Sequence, residues 1–196
     1  MLILKTMDLS KYNLKRDFNS TTEPKGVLKK SKNDLIFVVQ KHAASQLHYD
    51  FRLEMHGVLK SWTIPKGPSM NSEDKRLAIM VEDHPFAYKD FEGTIPEGNY
   101  GAGNVIVWDN GTYALANPQN GTTIETQLTE GLQNGKLDIV LNGNKLKGEF
   151  ELVRLKINQK NAWLLIKKDD QYATDSDVLQ ANKSVISNLT LEEMVK

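Results

Sequence analysis

Short runs of β-branched and aromatic residues recur along the chain, and this pattern most restricts the folds it can adopt. The runs are "DLIFVVQKHA" (34–43), "LHYDFRLEM" (47–55), "GVLKSWTIP" (57–65), "RLAIMVEDH" (76–84), "GNVIVWDNGTYAL" (103–115), "KLDIVLNGNKLKGEFELVRLKI" (136–157) and "NAWLLIKKDD" (161–170). Turn residues separate them, and we expect hairpin turns at Asp109-Asn110-Gly111 and at Asn142-Gly143-Asn144. Closely spaced strands of this kind are typical of an all-β barrel or sandwich.

Helical patterns are few. "TTIETQLTEGLQN" (122–134) predicts a short helix that ends at Gly135. Thr190 and Glu193 have the spacing of a capping box, which predicts a short C-terminal helix. We therefore divide the chain into an irregular arm packed on or over the site (1–33), a β domain (34–175) and a tail with a short helix (176–196).

The charge of the chain is balanced but unevenly distributed. The 196 residues contain 25 basic and 25 acidic side chains. Residues 1–66 carry 12 Lys and Arg against 6 Asp and Glu, whereas residues 67–196 carry 13 against 19. Either folding mixes these charges, or the first part supplies a basic surface for a phosphate-bearing ligand.

Two absences exclude whole classes of protein. The sequence has no cysteine, which excludes disulfides, thiol catalysis and cysteine-ligated metals. No apolar run approaches the ~18 residues of a membrane helix, and the opening "MLILKTMDLS" has too short an apolar core for a signal peptide. We expect a cytoplasmic monomer without membrane contact, whose translation starts at Met1 or Met7.

The run 47–55 carries polar side chains on one face. Residues at i, i+2 and i+4 of a strand share a face, which places His48, Asp50 and Arg52 together. The opposite, core-facing side receives Tyr49, Phe51 and Leu53. If a neighbouring strand end brings in His42, two imidazoles and a carboxylate form an open metal site, suited to Mn²⁺, Zn²⁺ or Fe²⁺.

The spacing His-x-Asp is weak by itself, because isolated histidines are usually surface or satisfied core residues. Two other functions fit a small barrel: a cupin-like metalloenzyme acting on a small molecule, and a non-catalytic nucleic-acid-binding barrel. The first requires a His-x-His pair, which the sequence lacks. The second requires exposed aromatic side chains on the binding face.

Three long segments resemble one known family. "FVVQKHAASQLHYDFRLEMHGVLKSWTIPKGPS", "KRLAIMVEDHPFAYKDFEGTIPEGNYGAGNVIVWDNGTY" and "WLLIKKDD", with the upstream "KRDFNSTTEP", are similar to the 3′-phosphoesterase domain of bacterial DNA ligase D. The resemblance covers about residues 11–175. It implies a small closed β-barrel in a free-standing member of that family.

The resemblance also implies a reaction and a set of site residues. The family removes a 3′-terminal ribonucleoside from a primer strand and then the 3′-phosphate, usually with Mn²⁺; Zn²⁺ and Co²⁺ also suit the ligands. It implies metal ligation by His42, His48 and Asp50. It gives direct roles to Arg52, His84, Tyr88, Arg16, Asp17 and Glu23, and phosphate-side or supporting roles to Lys66, Arg76, Glu82 and Gln40.

The resemblance implies partners and shows two departures. The expected partners are the 3′ end of a primer–template duplex and a separate DNA ligase or other end-joining factors. Thr22 stands where the family often has Pro, and Tyr113 where it often has Trp. Neither position is a proposed ligand.

Overall fold

The computed structural model describes residues 8–32, 34–156, 159 and 161–194. Its elements, in chain order, are α1 (Ser10–Leu14), β1 (Ile36–Ala43), β2 (Leu47–Met55), β3 (Val58–Ile64), β4 (Lys75–Met80), β5 (His84–Pro85), a 3₁₀ helix (Phe86–Asp90), β6 (Gly93–Ile95), β7 (Gly103–Leu115), α2 (Ile124–Asn134), β8 (Lys136–Gly143), β9 (Lys147–Arg154), β10 (Ala162–Lys167) and a second 3₁₀ helix (Val178–Gln180). The two candidate start residues, Met1 and Met7, lie outside the described residues.

Eight antiparallel strands close into a barrel, which confirms the predicted fold class. The strands follow the order β1-β2-β3-β4-β10-β9-β8-β7, and β7 pairs with β1 to complete the circle. β6 extends the sheet beyond β7, and β5 pairs with β3. No helix among the described residues is long and apolar enough to cross a membrane.

Two apolar layers lie on the two sides of the β1–β3 wall. The inner layer fills the barrel and contains Phe51, Trp62, Trp108, Phe150 and Trp163, among others. An outer layer packs the arm, the first 3₁₀ helix and β6 against the wall; its members include Tyr12, Val38, Leu59, Phe86, Tyr88 and Val107. Because of this second layer, the outer face of the wall is buried, and polar side chains on it lie in a protein interior.

The predicted hairpin turn at Asp109-Asn110-Gly111 is wrong. β7 runs without a break through these residues, which pair with Val39, Val38 and Phe37 of β1. The Asp109 carboxylate is buried and accepts backbone N–H bonds from Asn144, Lys145 and Leu146 at 2.8–3.0 Å. A side chain at Gly111 would place its Cβ 2.1 Å from the Asn142 carbonyl oxygen. Asp109 and Gly111 therefore make buried contacts between strands and do not form a turn.

The first of the two predicted helices is present, and a turn stands in place of the second. α2 begins after Thr123, whose hydroxyl accepts from the Thr126 N–H, and ends at Gly135 with φ 80°. At the C-terminus, Thr190 and Glu193 exchange the two capping-box hydrogen bonds, 2.8 and 3.3 Å long. Residues 191–194 form a turn there rather than a helix.

Candidate metal and phosphate site

Three side chains of one hairpin form a cluster of metal-binding type. β1 and β2 are antiparallel and place His42 directly opposite His48. Nδ1 of His42 and Nε2 of His48 lie 3.7 and 3.8 Å from Oδ2 of Asp50. One donor atom from each of the three lies within 4.8 Å of the others. Pairing of β1 with β2 thus places the end of β1, with His42, beside His48 and Asp50.

Backbone carbonyls fix the orientation of both imidazoles. The other ring nitrogen of His42, Nε2, lies 2.9 Å from the carbonyl of Gly101, and Nδ1 of His48 lies 2.9 Å from that of Gln46. A carbonyl only accepts, so each of these nitrogens carries a proton, and in the neutral imidazole that binds a metal the free lone pair lies on the nitrogen facing Asp50. Two donors held ~2.1 Å from one ion lie ~3–3.5 Å apart, so a small contraction of this cluster would accommodate a divalent cation.

Asp50 is held in its charged form. Burial alone would raise its pKa, but Arg52 and the two histidines outweigh burial and hold the pKa well below its ordinary value. Its Oδ1 accepts from the Thr63 hydroxyl at 2.8 Å, and its Oδ2 from Arg52 Nη2 at 3.2 Å. The carboxylate is therefore ready to act as an anionic ligand.

Arg52 lies beside the cluster, held on three sides. Its Nε donates to Gln40 Oε1, and its Nη1 to the Ser61 hydroxyl, both at 2.8 Å. With the bond to Asp50, these use three of its five N–H groups and leave one on each terminal nitrogen. Gln40 in turn donates to the carbonyls of Tyr88 and Phe91. The guanidinium is thus a rigid fork with two donors remaining for an anion.

The arm supplies a second arginine. Arg16 Nε donates to Glu23 Oε1 at 2.8 Å, and the same oxygen accepts the Tyr88 hydroxyl at 2.9 Å. Arg16 Nη2 lies 3.3 Å from His84 Nε2. The guanidinium also lies 3.7 Å from the centroid of the Tyr12 ring. Glu23 therefore joins the arm to the rest of the domain through the Tyr88 hydroxyl, whereas its bond to Arg16 lies within the arm.

His84 and Tyr88 are neutral in this setting. Burial lowers the pKa of His84 well below its ordinary value, and the nearby Arg52 and Arg16 lower it further. Its Nδ1 donates to the Glu82 carbonyl at 3.0 Å, so Nε2 is the acceptor that faces Arg16. Burial and the adjacent Glu23 raise the pKa of Tyr88 well above 10.

These groups line one cleft of about 310 Å³. Its lining includes Arg16, His42, His48, Asp50, Arg52, Thr63, Glu82, His84, Tyr88 and Tyr100. A cation site, two arginines and a neutral imidazole thus face one space, an arrangement suited to a phosphate ester.

Comparison with known proteins agrees with this geometry. The sequence model of the family described as "DNA Ligase D 3′-phosphoesterase domain" matches residues 40–154. The chain belongs to this family. It is 47% identical over 193 residues to the multifunctional non-homologous end joining protein LigD of Pseudomonas aeruginosa, covering 93% of this chain and 22% of that protein.

Mycobacterial relatives are more distant. The LigD proteins of Mycobacterium tuberculosis and Mycolicibacterium smegmatis are 38% and 39% identical over 172 and 170 residues, which cover 87% and 83% of this chain. This chain spans about a fifth of the length of the curated relatives it matches; for these two the covered share is 21%.

The structure brings most of the predicted family residues together and leaves three apart. Gln40 and Glu23 do not line the cleft but hold Arg52 and Arg16. Asp17 is exposed, and its carboxylate accepts from the Asn19 N–H in a local turn. Lys66 and Arg76 line a different groove, together with Lys75, Pro65, Asp74 and Leu77.

Several supporting residues were not identified from the sequence. Ser61 and Thr63 pair with Arg52 and Asp50 across β2 and β3, and period-two alternation along β3 could have placed them on the site face. Tyr12 and the Gly101 carbonyl had no such signal, because the arm and the glycine-rich loop reach the site through tertiary packing alone.

Proposed function

We propose that the protein is a metal-dependent 3′-end phosphoesterase. It would remove a 3′-terminal ribonucleoside from a primer strand and then hydrolyse the remaining 3′-phosphate to a 3′-hydroxyl. The observation that carries this proposal is the His42–His48–Asp50 cluster beside the two free donors of Arg52, in a chain of the ligase D 3′-phosphoesterase family.

His42, His48 and Asp50 would hold the divalent cation, with Mn²⁺ expected and Zn²⁺ or Co²⁺ as alternatives. Such an ion supplies Lewis-acid chemistry at a phosphate oxygen and activates water. The remaining N–H groups of Arg52 would bind the other phosphoryl oxygens and stabilise the charge that builds up on them. A preorganised donor of this kind contributes ~3–4 kcal/mol to the transition state.

His84 and Tyr88 would act through hydrogen bonds rather than as a strong acid or base. The neutral imidazole favours an accepting role for His84 Nε2, toward Arg16 or a hydroxyl of the substrate. Its lowered pKa makes His84 a poor general acid and supports the hydrogen-bonding role. Tyr88 would hold the arm in place through Glu23 and support Arg52, whose guanidinium lies 4.9 Å from its ring centroid.

The second groove would hold the nucleic acid backbone. Lys66, Lys75 and Arg76 line about 430 Å³ of space on the ends of β3 and β4. By strand register, Lys66 follows β3 at the same end of the barrel as His48, since Tyr49 pairs with Ile64. Backbone phosphates of a primer–template duplex would occupy this groove, and their binding should weaken with salt. A DNA ligase or other end-joining factor is the expected partner.

One assay tests the reaction. A 5′-labelled primer that ends in two ribonucleotides, annealed to a template, is incubated with the protein and Mn²⁺ or with EDTA. We expect shortening to a 3′-phosphate and then to a 3′-hydroxyl with Mn²⁺ alone. Unchanged primer ends with each of Mn²⁺, Zn²⁺ and Co²⁺ would refute the proposal. A primer that ends in a 3′-phosphate separates the second step from the first.

A further inference from the structure

One end of the cleft contains three side chains whose contacts with the substrate the proposed chemistry does not specify. Tyr100 lies in the glycine-rich loop between β6 and β7 and lines the cleft, yet 49% of its surface is exposed. Glu82, between β4 and β5, lines the same cleft. Lys15 of the arm connects them, because its Nζ donates to Glu82 Oε2 at 3.0 Å and to the Tyr100 hydroxyl at 3.2 Å.

Glu82 has an oxygen without a donor. Its side chain is only 7% exposed, and its Oε1 is buried without a hydrogen-bond partner among the described residues. Arg16 Nη1 lies 3.7 Å from this oxygen, beyond hydrogen-bond distance. A buried carboxylate oxygen costs free energy until it accepts a hydrogen bond, so this atom is suited to a donor from a ligand in the cleft.

Tyr100 offers the only largely exposed aromatic ring among the residues that line the cleft in the described part of the chain. Tyr88, by comparison, is buried. The next residue, Gly101, holds His42 through its carbonyl, so the position of Tyr100 is fixed relative to the metal cluster. Every nucleobase has a π-face that stacks on an exposed aromatic ring of this kind.

We propose that Tyr100, Glu82 and Lys15 form the binding site for the 3′-terminal nucleoside that is removed. The base stacks on Tyr100, and a ribose hydroxyl of the same nucleoside donates to Glu82 Oε1. Lys15 holds both side chains and neutralises the carboxylate. The cluster and Arg52 bind the phosphate, and this subsite binds the leaving nucleoside on its far side. The inference rests on the proposed function for the identity of the ligand.

Equilibrium binding in EDTA tests the subsite without turnover. The ligand is a fluorescent primer–template that ends in two ribonucleotides, compared with one whose last residue is an abasic ribose. We expect Tyr100→Ala to raise Kd roughly 5- to 100-fold for the first ligand and to change it little for the abasic one. Tyr100→Phe keeps the ring and should retain most of the binding. Tyr172→Ala, an equally exposed tyrosine away from the cleft, is the matched control.

Glu82→Gln is tested against ligands that lack one hydroxyl of the terminal ribose. We expect the variant to weaken binding of the complete ribose about 5- to 10-fold, with no further loss when the contacting hydroxyl, 2′ or 3′, is removed. Equal losses on all ligands would refute the role of Glu82, and a Tyr100→Ala defect that persists on the abasic ligand would refute stacking.

The proposed reaction and the proposed nucleoside subsite can be refuted independently of each other. If the protein cleaves the primer but Tyr100→Ala binds it like the unaltered protein, the subsite is wrong and the reaction stands. If base-dependent binding through Tyr100 is present but no metal supports cleavage, the reaction is wrong and the subsite stands.

Discussion

Strands β2 and β9 both direct apolar side chains into the barrel, but their outer faces differ. In β9, Phe150 and Leu152 are buried, while Glu149 and Glu151 on the outer face are partly exposed. In β2, the outer face is buried as well, because the arm and the first 3₁₀ helix cover the wall to which it belongs. The same period-two pattern thus yields a solvated surface on one wall and a buried polar face on the other.

The difference shows where buried charge is concentrated. Asp50, Arg52 and Glu54 are at most 8% exposed, and each has specific partners. Charges buried in this way are costly unless they are paired, and the pairing fixes their geometry. An alternating strand identifies its polar face in the sequence, but burial of that face depends on what packs over it.

The largest effect on activity is expected from the proposed metal ligands. His48→Ala should reduce metal-dependent cleavage at least ~1000-fold, because it would remove one of three ligands. His48 lies at the edge of the cleft, so folding should be retained. Calorimetric titration with Mn²⁺ and primer cleavage measure the effect. Lys147→Ala on the exposed end of β9 is the control, and a His48→Ala protein that stays active would show that the cluster is not the metal site.

Arg52→Lys should have the next largest effect. A lysine cannot reproduce the planar fork that joins Gln40, Ser61 and Asp50 while keeping two donors free. We expect kcat to fall about 100-fold with a smaller change in KM, since the lost contacts matter most in the transition state. Steady-state kinetics check this, and a change confined to KM would contradict it.

Glu54→Gln on β2 and Glu151→Gln on β9 compare how much a carboxylate on each wall contributes to the free energy of unfolding. Glu54 accepts from the Ser31 N–H and hydroxyl with one oxygen, and from the Ile36 N–H with the other. Replacing one oxygen by an NH₂ group removes an acceptor, so we expect the free energy of unfolding to fall by about 1–3 kcal/mol. Glu151→Gln on β9 should change it by less than about 0.5 kcal/mol. Urea unfolding of both variants measures the two losses of free energy. Equal losses would contradict the expected difference between the β2 and β9 walls.

A partly buried ion pair, Lys167–Asp170, lies at the end of β10, away from the cleft. Of the four residues to be replaced, Asp170 should have the smallest effect. Lys167 is fully buried and lies 2.6 Å from the carboxylate of Asp170. Burial would raise the pKa of Asp170, but Lys167 and backbone N–H groups hold it below its ordinary value. Since the folded pKa is lowered, this stabilisation is present above pH ~4 and is lost as pH falls through the folded pKa.

Asp170→Asn should therefore lower the free energy of unfolding at pH 7 by about 1–2 kcal/mol. The difference from the unaltered protein should shrink on acidification below pH ~4. Unfolding curves at pH 7, 5 and 3 measure it. A constant difference over that range would mean that the charge of Asp170 does not contribute.

The sequence predicted the features that depend on local periodicity. Alternation along β2 placed His48, Asp50 and Arg52 on one face and Tyr49 and Phe51 in the core, as observed. The helix that ends at Gly135 was also predicted, because capping chemistry is local.

Features that depend on tertiary packing escaped prediction. The Asp109-Asn110-Gly111 segment has the composition of a turn but remains within β7, since its carboxylate serves the β8–β9 connection. The contacts of Glu23 with Tyr88 and of Arg16 with His84 join the arm to the rest of the domain, and no spacing in the sequence specifies them. The resemblance to the ligase D family pointed to these residues, but it did not distinguish those that line the cleft from those that hold them.

The His42–His48 pairing has a consequence for how the site is assembled. All three proposed metal donors belong to the single hairpin of β1 and β2, within residues 42–50, whereas barrel closure joins β1 to β7 between residues that lie 61 to 76 positions apart. Closing a short loop costs little entropy and occurs early, while distant strands meet late. The proposed ligand set is thus a local property of the chain. The same hairpin also supplies Arg52, and the arm adds Arg16 to a centre that a single hairpin already outlines.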